Sequence, residues 1–348
     1  MQPLNNSEKT IIITGGGTGG HLSVAKSFID EFYKRGYKVI FIGSTKGQDQ
    51  EWFQNYPNIS QAHFLETRGV VNQNLLGKFT SLWMIFKAVL KSISIIKKNS
   101  VQKVVSVGGF SAAAASFASI LTKTDFYIHE QNSIVGKLNK ITSKYAKEVF
   151  SSYLPSSKVK DYPINEKFFE NSRVRDTIKT IIFLGGSQGA KAINEFALQI
   201  APTLLQKKIH IIHQTGKKDF HKIQKRYQEM NIDADVFDFS TELLSKMNKA
   251  DFAVSRSGAS TLWELVALGI PTFFIPFPHA AANHQYHNAK YLVENDLCFL
   301  QEEKDLDKEY FFKCLENCSK NSLELKSKKL IDTIHNDAVK NIADIIMI

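Results

Sequence analysis

The chain has 348 residues, 43% of them hydrophobic and 22% charged, which excludes a disordered or fibrous protein and favours two domains with separate hydrophobic cores. Its 44 Lys and Arg residues outnumber its 34 Asp and Glu residues, which gives a net charge of +10. This excess favours an anionic partner, but it does not choose between a phosphate compound, a nucleic acid and an acidic membrane surface.

A βαβ unit with a glycine-rich turn opens the chain. The run Thr10–Thr14 predicts a buried strand, a helix follows, and Lys38–Ile42 predicts the next strand. Between them, Gly15-x-Gly17-x-x-Gly20 has the spacing of a turn whose N–H groups hold a phosphate at a helix start. A nicotinamide cofactor is disfavoured because no acidic residue that could hold a ribose follows the second strand before Asp49. A P-loop is disfavoured because its Gly-Lys-Ser/Thr sequence is absent.

His21 directly follows this turn, at the predicted start of the helix. The positive end of a helix favours the neutral imidazole, so His21 is a candidate base for a hydroxyl group held over the turn. A histidine that only hydrogen-bonds to the loop fits the same position. The sequence leaves both interpretations open.

The segment Leu75–Lys98 combines large hydrophobic residues with lysines, and no acidic residue occurs between Glu66 and Asp125. Lysines interrupt the hydrophobic run, so we do not expect it to span a bilayer. We expect a basic, apolar face that binds an anionic membrane surface, although a crossover helix with its apolar side in the core explains part of the same pattern. Residues 1–9 lack the features of a secretory signal and the three cysteines form no disulfide framework, so we expect a cytoplasmic location.

Two further predicted strands end in polar or glycine-containing loops. Lys103–Val107 runs into Gly108 and Gly109, and Asp125–Ile128 runs into His129–Asn132. Parallel sheets carry their functional loops at these carboxyl ends. Both loops are therefore candidates for a site close to the first glycine turn.

The pattern starts again in the second half of the chain. The hydrophobic periodicity is weak between Ser151 and Thr177. After this segment, Thr180–Leu184 runs into Gly185–Ala190, which repeats the strand and glycine turn of the first half. The repeat marks a second domain whose turn can hold another anionic group, although a turn used only for packing has the same sequence. Further elements are predicted as strands over His210–His213, Val236–Phe239, Asp251–Ser255 and Thr272–Ile275 and as an amphipathic helix over Leu330–Ile348.

Two polar segments follow strands of this second domain. Arg256–Thr261 leads into a helix, and the spacing of Thr261 and Glu264 predicts a capping box at its start. His279–Asn288 contains three histidines but no carboxylate or cysteine, and we therefore expect no metal site there.

Taken together, these motifs resemble the MurG family, the UDP-N-acetylglucosamine transferases that act on undecaprenyl-pyrophosphoryl-N-acetylmuramoyl-pentapeptide in peptidoglycan synthesis. The resemblance extends from Ile11 to about Asn295. It rests on five segments in the same order: Gly16–His21, His129–Asn132, Gly185–Ala190, Arg256–Ala259 with Glu264, and His284–Gln285 before Asn288 and Ala289.

The resemblance implies an α/β fold of the GT-B type, with two Rossmann-like domains of parallel sheets and an interdomain cleft. Residues 1–162, joined by a C-terminal helix over 331–348, would form the acceptor- and membrane-binding domain. Residues 163–330 would form the UDP-sugar-binding domain. The resemblance also implies that no metal and no cofactor take part and that no nucleic acid is bound.

By matching position, the resemblance implies which residues contact the substrates. Contacts to UDP-N-acetylglucosamine would come from Thr18, Gly19, Gly20, Asn132, Ser187, Arg256, Ser257, Gly258, Ala259, Ser260, Thr261, Glu264 and Gln285. Contacts to the undecaprenyl-linked lipid acceptor would come from Gly17, Gly108, Gly109 and Phe110. Glu264 would bind the ribose hydroxyl groups, a role that does not exclude capping.

The family transfers its sugar with inversion, so a single displacement by the acceptor 4-hydroxyl with the help of a general base suffices. His21 is our first choice for this base, and Glu130 is the second. N–H groups at helix ends can stabilise the departing UDP in place of a metal.

Three positions depart from the family pattern. Val24 replaces a proline, and Tyr162–Asn165 replaces an Asn-Pro-Val-Arg sequence, so an arginine expected on the donor side is missing. Ser111–Ala114 lacks the Ser-Gly-Pro continuation of the second glycine loop. The acceptor contacts are therefore matched less closely than the donor contacts.

Two alternatives share much of this pattern. Another GT-B transferase of a UDP-sugar, such as one that glycosylates diacylglycerol, would have the same fold, a basic membrane face and much of the donor site. A non-catalytic nucleotide-sugar sensor, or a subunit that requires a partner, would bind the donor without transferring its sugar.

Overall fold

The computed structural model describes residues 9–67, 75–186, 188–240, 242–318 and 320–348. The chain divides into two compact units, each built around its own parallel sheet. The first unit comprises the residues up to Ile164 together with Asp337–Ile348, and the second comprises Asn165–Asn336. The predicted α/β fold class, with two Rossmann-like parallel sheets, is confirmed.

The first unit has a six-stranded sheet. Its strands are β1 (Thr10–Thr14), β2 (Lys38–Ser44), β3 (Gln61–Leu65), β4 (Lys103–Ser106), β5 (Asp125–His129) and β6 (Glu148–Phe150). They lie in the order β3-β2-β1-β4-β5-β6, so the strand order reverses between β1 and β4. In sheets of this kind, ligands bind at the carboxyl ends of the strands that flank the reversal.

Helices connect the strands of this sheet. They are α1 (Gly19–Lys34), α2 (Asp49–Phe53), α3 (Leu75–Lys98), α4 (Ala113–Thr122) and α5 (Lys137–Thr142). Buried isoleucine, valine and phenylalanine side chains of the central strands pack against α3 and α4 in one core. Each such side chain contributes roughly 1.5–3 kcal/mol when fully buried, so the core holds the ends of β1 and β4 in fixed positions.

The second unit repeats this arrangement. Its strands are β7 (Thr180–Leu184), β8 (His210–Gln214), β9 (Ala234–Phe237), β10 (Phe252–Ser255), β11 (Thr272–Phe274) and β12 (Phe299–Leu300). They lie in the order β12-β11-β10-β7-β8-β9, and the reversal falls between β7 and β10. Its helices are α6 (Glu166–Glu170), α7 (Lys191–Gln206), α8 (Phe220–Glu229), α9 (Leu243–Lys249), α10 (Ala259–Ala267), α11 (His284–Glu294), α12 (Lys308–Asn317) and α13 (Lys320–Asp332).

The end of the chain returns to the first unit as α14 (Ala338–Met347), which packs against α1. Arg35 at the end of α1 donates hydrogen bonds to the Asp344 carboxylate at 2.5 Å and to the Lys340 carbonyl at 3.1 Å. The expectation of one helix over Leu330–Ile348 is wrong. Residues 330–332 complete α13 in the second unit, and residues 333–337 separate it from α14.

A helix needs about 20 mostly apolar residues to span a bilayer. Within the described ranges, no helix is both long and apolar enough to cross a membrane.

Candidate active site

The first glycine turn connects β1 to α1. Gly15 and Gly17 have φ angles of 123° and 88°, which other residues rarely adopt. A Cβ atom on Gly15 would lie 2.5 Å from the Gly108 carbonyl oxygen, and one on Gly17 would lie 2.5 Å from the Phe110 ring. The turn therefore packs directly on the loop after β4 and requires glycine at both positions.

This contact brings together the four residues expected to meet the acceptor. The Gly16 N–H group donates a hydrogen bond to the Gly108 carbonyl at 3.2 Å. Phe110 begins a one-turn helix, Phe110–Ala112, that leads into α4. Gly17, Gly108, Gly109 and Phe110 thus lie in one patch at the carboxyl ends of β1 and β4, and we call this group the acceptor patch.

His21 lies in the first turn of α1 and is half-buried. Its Nδ1 atom lies 3.0 Å from the Thr18 Oγ1 atom, within hydrogen-bond distance. Its Nε2 atom lies 3.5 Å from the position that a Cβ atom on Gly108 would occupy, so this side of the ring faces the acceptor patch. When Nδ1–H donates to Thr18, the lone pair that a base needs is on Nε2.

Asp49 is a residue of this region that the sequence reasoning did not assign to the site. From the sequence, Asp49 was considered only as an acidic residue too far from the second strand to hold a ribose. In the structure it is fully buried beneath the first glycine turn, where it accepts a hydrogen bond from the Gly17 N–H group at 2.5 Å.

Glu130 is buried and organises the loop after β5. Its Oε1 atom accepts a hydrogen bond from the Asn132 N–H group at 2.9 Å, and its Oε2 atom accepts from Gly136 N–H at 3.0 Å and Asn139 Nδ2 at 2.8 Å. A buried carboxylate held by three donors shapes its loop. Asn132, expected to contact the donor, is placed by this carboxylate.

His129 precedes Glu130 at the end of β5 and is fully buried. Its ring contacts the rings of Phe28 and Tyr162 with centroid distances of 6.0 Å and 5.5 Å. Burial, and secondarily the neighbouring His21, lowers the pKa of His129 to about 3. The ring is therefore neutral at physiological pH and serves as a packing element next to His21.

The second glycine turn connects β7 to α7 at the corresponding place in the second sheet. Gly186 and Gly189 both have a φ angle of 75°. A Cβ atom on Gly189 would lie 2.5 Å from the Thr215 carbonyl oxygen, whereas one on Gly186 would have no atom within 4 Å. The turn is thus packed at Gly189 and open at Gly186. Ser187, an expected donor contact, lies outside the described residues.

A buried chain of hydrogen bonds that sequence reasoning missed supports this turn. The His213 ring lies 3.0 Å from both Asn194 Oδ1 and Tyr227 Oη. Asn194 donates to the Thr215 carbonyl at 3.1 Å and to the Asp219 carboxylate at 3.0 Å. Burial lowers the pKa of His213 to about 3, so the ring stays neutral and donates from Nε2 to the amide oxygen. The available signal was the polar His213 directly after the apolar pair Ile211 and Ile212 of β8.

Arg256 follows β10, but its guanidinium group contacts the protein itself. Its Nη1 atom donates to the carbonyl oxygens of Ile275 and Pro276, each at 3.0 Å, and its Nη2 atom lies 2.7 Å from the Glu303 carboxylate. The next residue, Ser257, is buried. The Arg256 side chain therefore fixes the loop after β10, and this geometry does not favour its expected contact with the donor.

Gly258 is the N-cap residue of α10, and a Cβ atom there would have no atom within 4 Å. The capping box predicted at Thr261 is wrong, because the helix already begins at Ala259 and Thr261 lies within its first turn. Glu264 is half-buried in the next turn, and burial raises its pKa to about 7. Ser260 is buried between these residues.

The loop between β11 and α11 carries Gln285, whose Oε1 atom accepts a hydrogen bond from the Phe277 N–H group at 3.0 Å. Ala282 and Asn283 in this loop both have a φ angle of 52°. Such left-handed conformations cost free energy and are concentrated at functional sites. In the described part of the chain, no three His, Cys, Asp or Glu side chains are grouped to hold a metal ion.

Comparison with known proteins places both units in one family. The N-terminal domain of glycosyltransferase family 28 matches residues 11–151, and the C-terminal domain of that family matches residues 180–344. Curated relatives from Sulfurovum sp. and Sulfurimonas denitrificans are each 48% identical over 97% of this chain and 98% of theirs. Both are named UDP-N-acetylglucosamine--N-acetylmuramyl-(pentapeptide) pyrophosphoryl-undecaprenol N-acetylglucosamine transferase. The chain belongs to the MurG family of glycosyltransferases.

Solved structures agree with the fold of this family. Acinetobacter baumannii MurG is 24% identical, with a TM-score of 0.79 over 97% of this chain and 99% of that chain. A UDP-GlcNAc 2-epimerase from Neisseria meningitidis bound to UDP-GlcNAc is 13% identical, with a TM-score of 0.63 over 97% and 98% of the two chains. At these identities the likeness concerns the fold alone, and it confirms the predicted two-unit architecture.

Asn165 stands where the MurG family pattern has an arginine. Its Oδ1 atom accepts a hydrogen bond from the Lys167 N–H group at 3.0 Å, so it caps the start of α6. A different arginine, Arg175, is fully buried and donates to the carbonyl oxygens of Ala250 and Leu268. Arg175 thus ties the segment before β7 to the loops before β10 and β11 of the same unit.

In this MurG family member, α3 has one buried side and one exposed side. Val89 and Ile96 lie in the core of the first unit. Hydrophobic side chains on the other side are 51–57% exposed: Leu82, Trp83, Phe86 and Leu90. The Lys87 Nζ atom lies 5.3 Å from the centre of the Trp83 ring, and Lys91 is also exposed. The core interpretation explains one side of α3, and the exposed side, called here the α3 face, is basic and apolar.

Proposed function

We propose that this enzyme transfers N-acetylglucosamine from UDP-N-acetylglucosamine to the 4-hydroxyl of undecaprenyl-pyrophosphoryl-N-acetylmuramoyl-pentapeptide, the step from lipid I to lipid II in peptidoglycan synthesis. The observation that carries the proposal is the extent of the similarity to relatives named for this activity, which covers 97% of the chain at 48% identity. The similarity covers both domains, each with its glycine turn, and not one domain alone.

In this proposal the second unit binds the UDP-sugar. Gly186 leaves space in the turn before α7 and Gly258 leaves space at the start of α10, and N–H groups at such helix starts favour an anionic diphosphate. The Glu264 carboxylate accepts hydrogen bonds from the ribose hydroxyl groups. Its raised pKa fits this role, because two donors would favour the ionised form that burial disfavours. Gln285 contacts the sugar.

The first unit supplies the base. The His21 Nε2 atom takes the proton of the acceptor 4-hydroxyl while the acceptor oxygen forms a bond to C1 of N-acetylglucosamine. The bond between C1 and the UDP oxygen breaks, its electron pair leaves with UDP, and the configuration at C1 inverts. Glu130 then has a positioning role, because its three hydrogen bonds hold it within its own loop.

Charge on the departing UDP is stabilised by N–H groups at the helix starts of the second unit, and we propose that the reaction requires no metal ion. Turnover in excess EDTA tests this part. Unchanged turnover is the expected result, and a loss that Mg²⁺ or Mn²⁺ restores would contradict it.

The α3 face provides contact with an anionic membrane, where the polyprenyl-linked acceptor is located. Hydrophobic side chains that enter the headgroup region and lysines that approach anionic lipids act together in such surfaces. We therefore propose a peripheral location on the cytoplasmic face of the bacterial inner membrane.

The decisive experiment is a transfer assay with radiolabelled UDP-N-acetylglucosamine. The purified enzyme receives either the undecaprenyl-linked muramoyl-pentapeptide or diacylglycerol, and the lipid products are separated. Label in the first product alone is expected. Label in diacylglycerol would assign the enzyme to the other transferase class, and donor binding with no transfer to either lipid would favour a sensor.

A further inference from the structure

A buried carboxylate joins the first glycine turn to the neighbouring strand. The Asp49 Oδ1 atom accepts a hydrogen bond from Gly17 N–H at 2.5 Å, and its Oδ2 atom accepts one from Ser44 N–H at 2.8 Å. Asp49 has no exposed surface. Its carboxylate therefore connects the end of β2 to the turn that follows β1.

The surrounding backbone leaves no space around this carboxylate. A Cβ atom on Gly16 would lie 2.6 Å from Asp49 Oδ1, and one on Gly43 would lie 2.9 Å from Asp49 Oδ2. A Cβ atom on Gly47 would lie 2.7 Å from the Gly17 Cα atom. Glycine at these three positions thus permits the close approach of the carboxylate and the turn.

The Gly17 N–H group belongs to the kind of turn that usually holds a phosphate. In such turns, N–H groups near a helix start donate to phosphate oxygens. Here a carboxylate of the same chain accepts the Gly17 hydrogen bond, and a phosphate at this N–H group would meet a negative charge and an occupied space. Burial raises the pKa of Asp49, and the N–H groups of Ser44 and Gly17 oppose that shift.

The position of Gly17 also affects the candidate base. Thr18 follows Gly17 directly, and its Oγ1 atom lies 3.0 Å from His21 Nδ1. A shift of Gly17 would move the Thr18 hydroxyl and with it the hydrogen bond that orients the imidazole. A continuous series of bonds and contacts therefore runs from Asp49 through Gly17 and Thr18 to His21.

We propose that Asp49 is a resident anion of the first glycine turn. It excludes a phosphate group from the Gly17 N–H group, and it is a positioning residue that holds Gly17 and Thr18 and thereby orients the His21 ring. The exclusion of phosphate follows from the contacts of Asp49 alone. The orientation of His21 rests on the proposed function.

Chemical rescue tests this proposal. Asp49→Ala removes the carboxylate and leaves a cavity beside the Gly17 N–H group. Formate can enter this cavity and replace the charge. Formamide has a similar size but no charge, and it serves as the control compound. Turnover at saturating substrates, the Kd for UDP-N-acetylglucosamine and the melting temperature are measured with either additive. Asp49→Asn keeps the shape of the side chain, and Asp30→Asn, which alters a carboxylate held by Tyr56 and Asn58 in the same unit, is the matched control.

We expect Asp49→Ala to lower kcat by about 100-fold, the scale of a misplaced catalytic group, with a much smaller change in the donor Kd, because Thr18 is also an expected donor contact. Formate should restore part of kcat and raise the melting temperature of this variant but not of the wild type, and formamide should do neither. Asp49→Asn should show the same loss of kcat without rescue, and Asp30→Asn should keep wild-type kcat.

Equal effects of formate and formamide, or wild-type turnover in Asp49→Asn, would overturn the proposal. If Asp49→Ala does not fold, Asp49→Asn decides through the same comparison of kcat with donor Kd. If the wild type transfers no sugar, the proposed function fails, whereas the formate-dependent melting temperature of Asp49→Ala still tests the resident anion.

Discussion

The two glycine turns occupy equivalent places in two sheets of the same strand order, but their surroundings differ. In the first turn, added Cβ atoms on Gly16 and Gly17 would lie 2.6 Å from Asp49 Oδ1 and 2.5 Å from the Phe110 ring. In the second unit, added Cβ atoms on Gly186 and Gly258 would meet nothing within 4 Å. The first turn is therefore filled by groups of its own unit, whereas the second unit leaves room at Gly186 in its glycine turn and at Gly258, the N-cap residue of α10.

This difference separates two uses of one sequence pattern. A turn filled by a carboxylate and an aromatic ring has a fixed shape before any substrate binds and can hold a side chain such as His21, the proposed base. A turn that is open at a helix start can receive an anionic group. The duplicated fold thus supports a division in which one unit orients the base and the other binds the donor.

The largest expected effect comes from the residue that the first turn holds. His21→Ala should lower turnover by about two to four orders of magnitude while the Kd for UDP-N-acetylglucosamine stays nearly unchanged, because a general base contributes to the reaction step. Turnover and calorimetric donor binding measure the two quantities. His210→Ala, which alters an exposed histidine of the second unit, is the control. Near-normal turnover of His21→Ala would transfer the role of base to Glu130 or to solvent.

A pair of glycine substitutions tests the contrast between the filled first turn and the open start of α10. Gly16→Ala places a Cβ atom 2.6 Å from Asp49 Oδ1 and 2.8 Å from the Leu22 side chain, so it should lower the free energy of unfolding by about 1–3 kcal/mol. Gly258→Ala lies in open space with φ −64° and should cost less than about 1 kcal/mol, the loss of a favourable cap residue.

Of these two substitutions, Gly258→Ala should have the larger effect on donor binding. The methyl group of Gly258→Ala enters the space assigned to the UDP-sugar and should weaken binding by about tenfold, or about 1.4 kcal/mol. Denaturant titration and calorimetry measure the two effects. Unchanged donor affinity in Gly258→Ala would show that the start of α10 does not face the donor.

The sequence predicted the bounds of the central strands well and the strands at the sheet edges poorly. Residues 10–14 and 180–184 were predicted with their observed bounds because long apolar runs at the middle of a parallel sheet are buried on both faces. The strands β3, β6 and β12 were missed. Each lies at a sheet edge, and these strands are short or only partly buried, so their sequences lack a clear hydrophobic pattern.

Among the candidate site residues, the glycine motif pointed to His21 and the family resemblance pointed to Glu264, whereas long-range contacts remained hidden. The bond between Gly17 and Asp49 joins residues 32 positions apart, and that between Asn194 and His213 joins residues 19 apart. Neither spacing has a sequence signature. The prediction of a capping box at Thr261 was wrong for a local reason. Only residues 256–258 separate β10 from α10, so the N-cap residue is Gly258.

The open site of the second unit should also be sensitive to pH. Because burial raises the pKa of Glu264 to about 7, the side chain is largely protonated below that pH in the free enzyme. Ribose hydroxyls donate more strongly to a carboxylate than to a neutral acid, so donor affinity should rise by about five- to tenfold between pH 5.5 and 7.5 and level off above. Glu264→Gln should bind the donor more weakly, with no such dependence on pH. A wild-type affinity that is flat over this range would contradict the ribose contact.

The same raised pKa has a consequence for the stability of the free enzyme. The folded state holds the proton of Glu264 up to about pH 7, whereas the unfolded state loses it near the ordinary value of 4.5. The contribution of this group to stability is therefore present below pH 4.5 and is lost as the pH rises through 7. Relative to Glu264→Gln, the melting temperature of the wild type should fall across that range, and a constant difference would contradict the shift.

The smallest effect concerns the α3 face, which lies in the unit of the first turn. Lys87→Glu and Lys91→Glu should each weaken binding to anionic vesicles by about 1 kcal/mol, because each removes one lysine near the lipid headgroups. Lys222→Glu with Lys225→Glu in the second unit makes the same change in net charge and is the matched control. Sedimentation with vesicles of 30% phosphatidylglycerol is the measurement, at about 0.1 M salt, where charges beyond about 10 Å are screened. Equal loss of binding in both pairs would mean that net charge, and not the α3 face, directs the enzyme to the membrane.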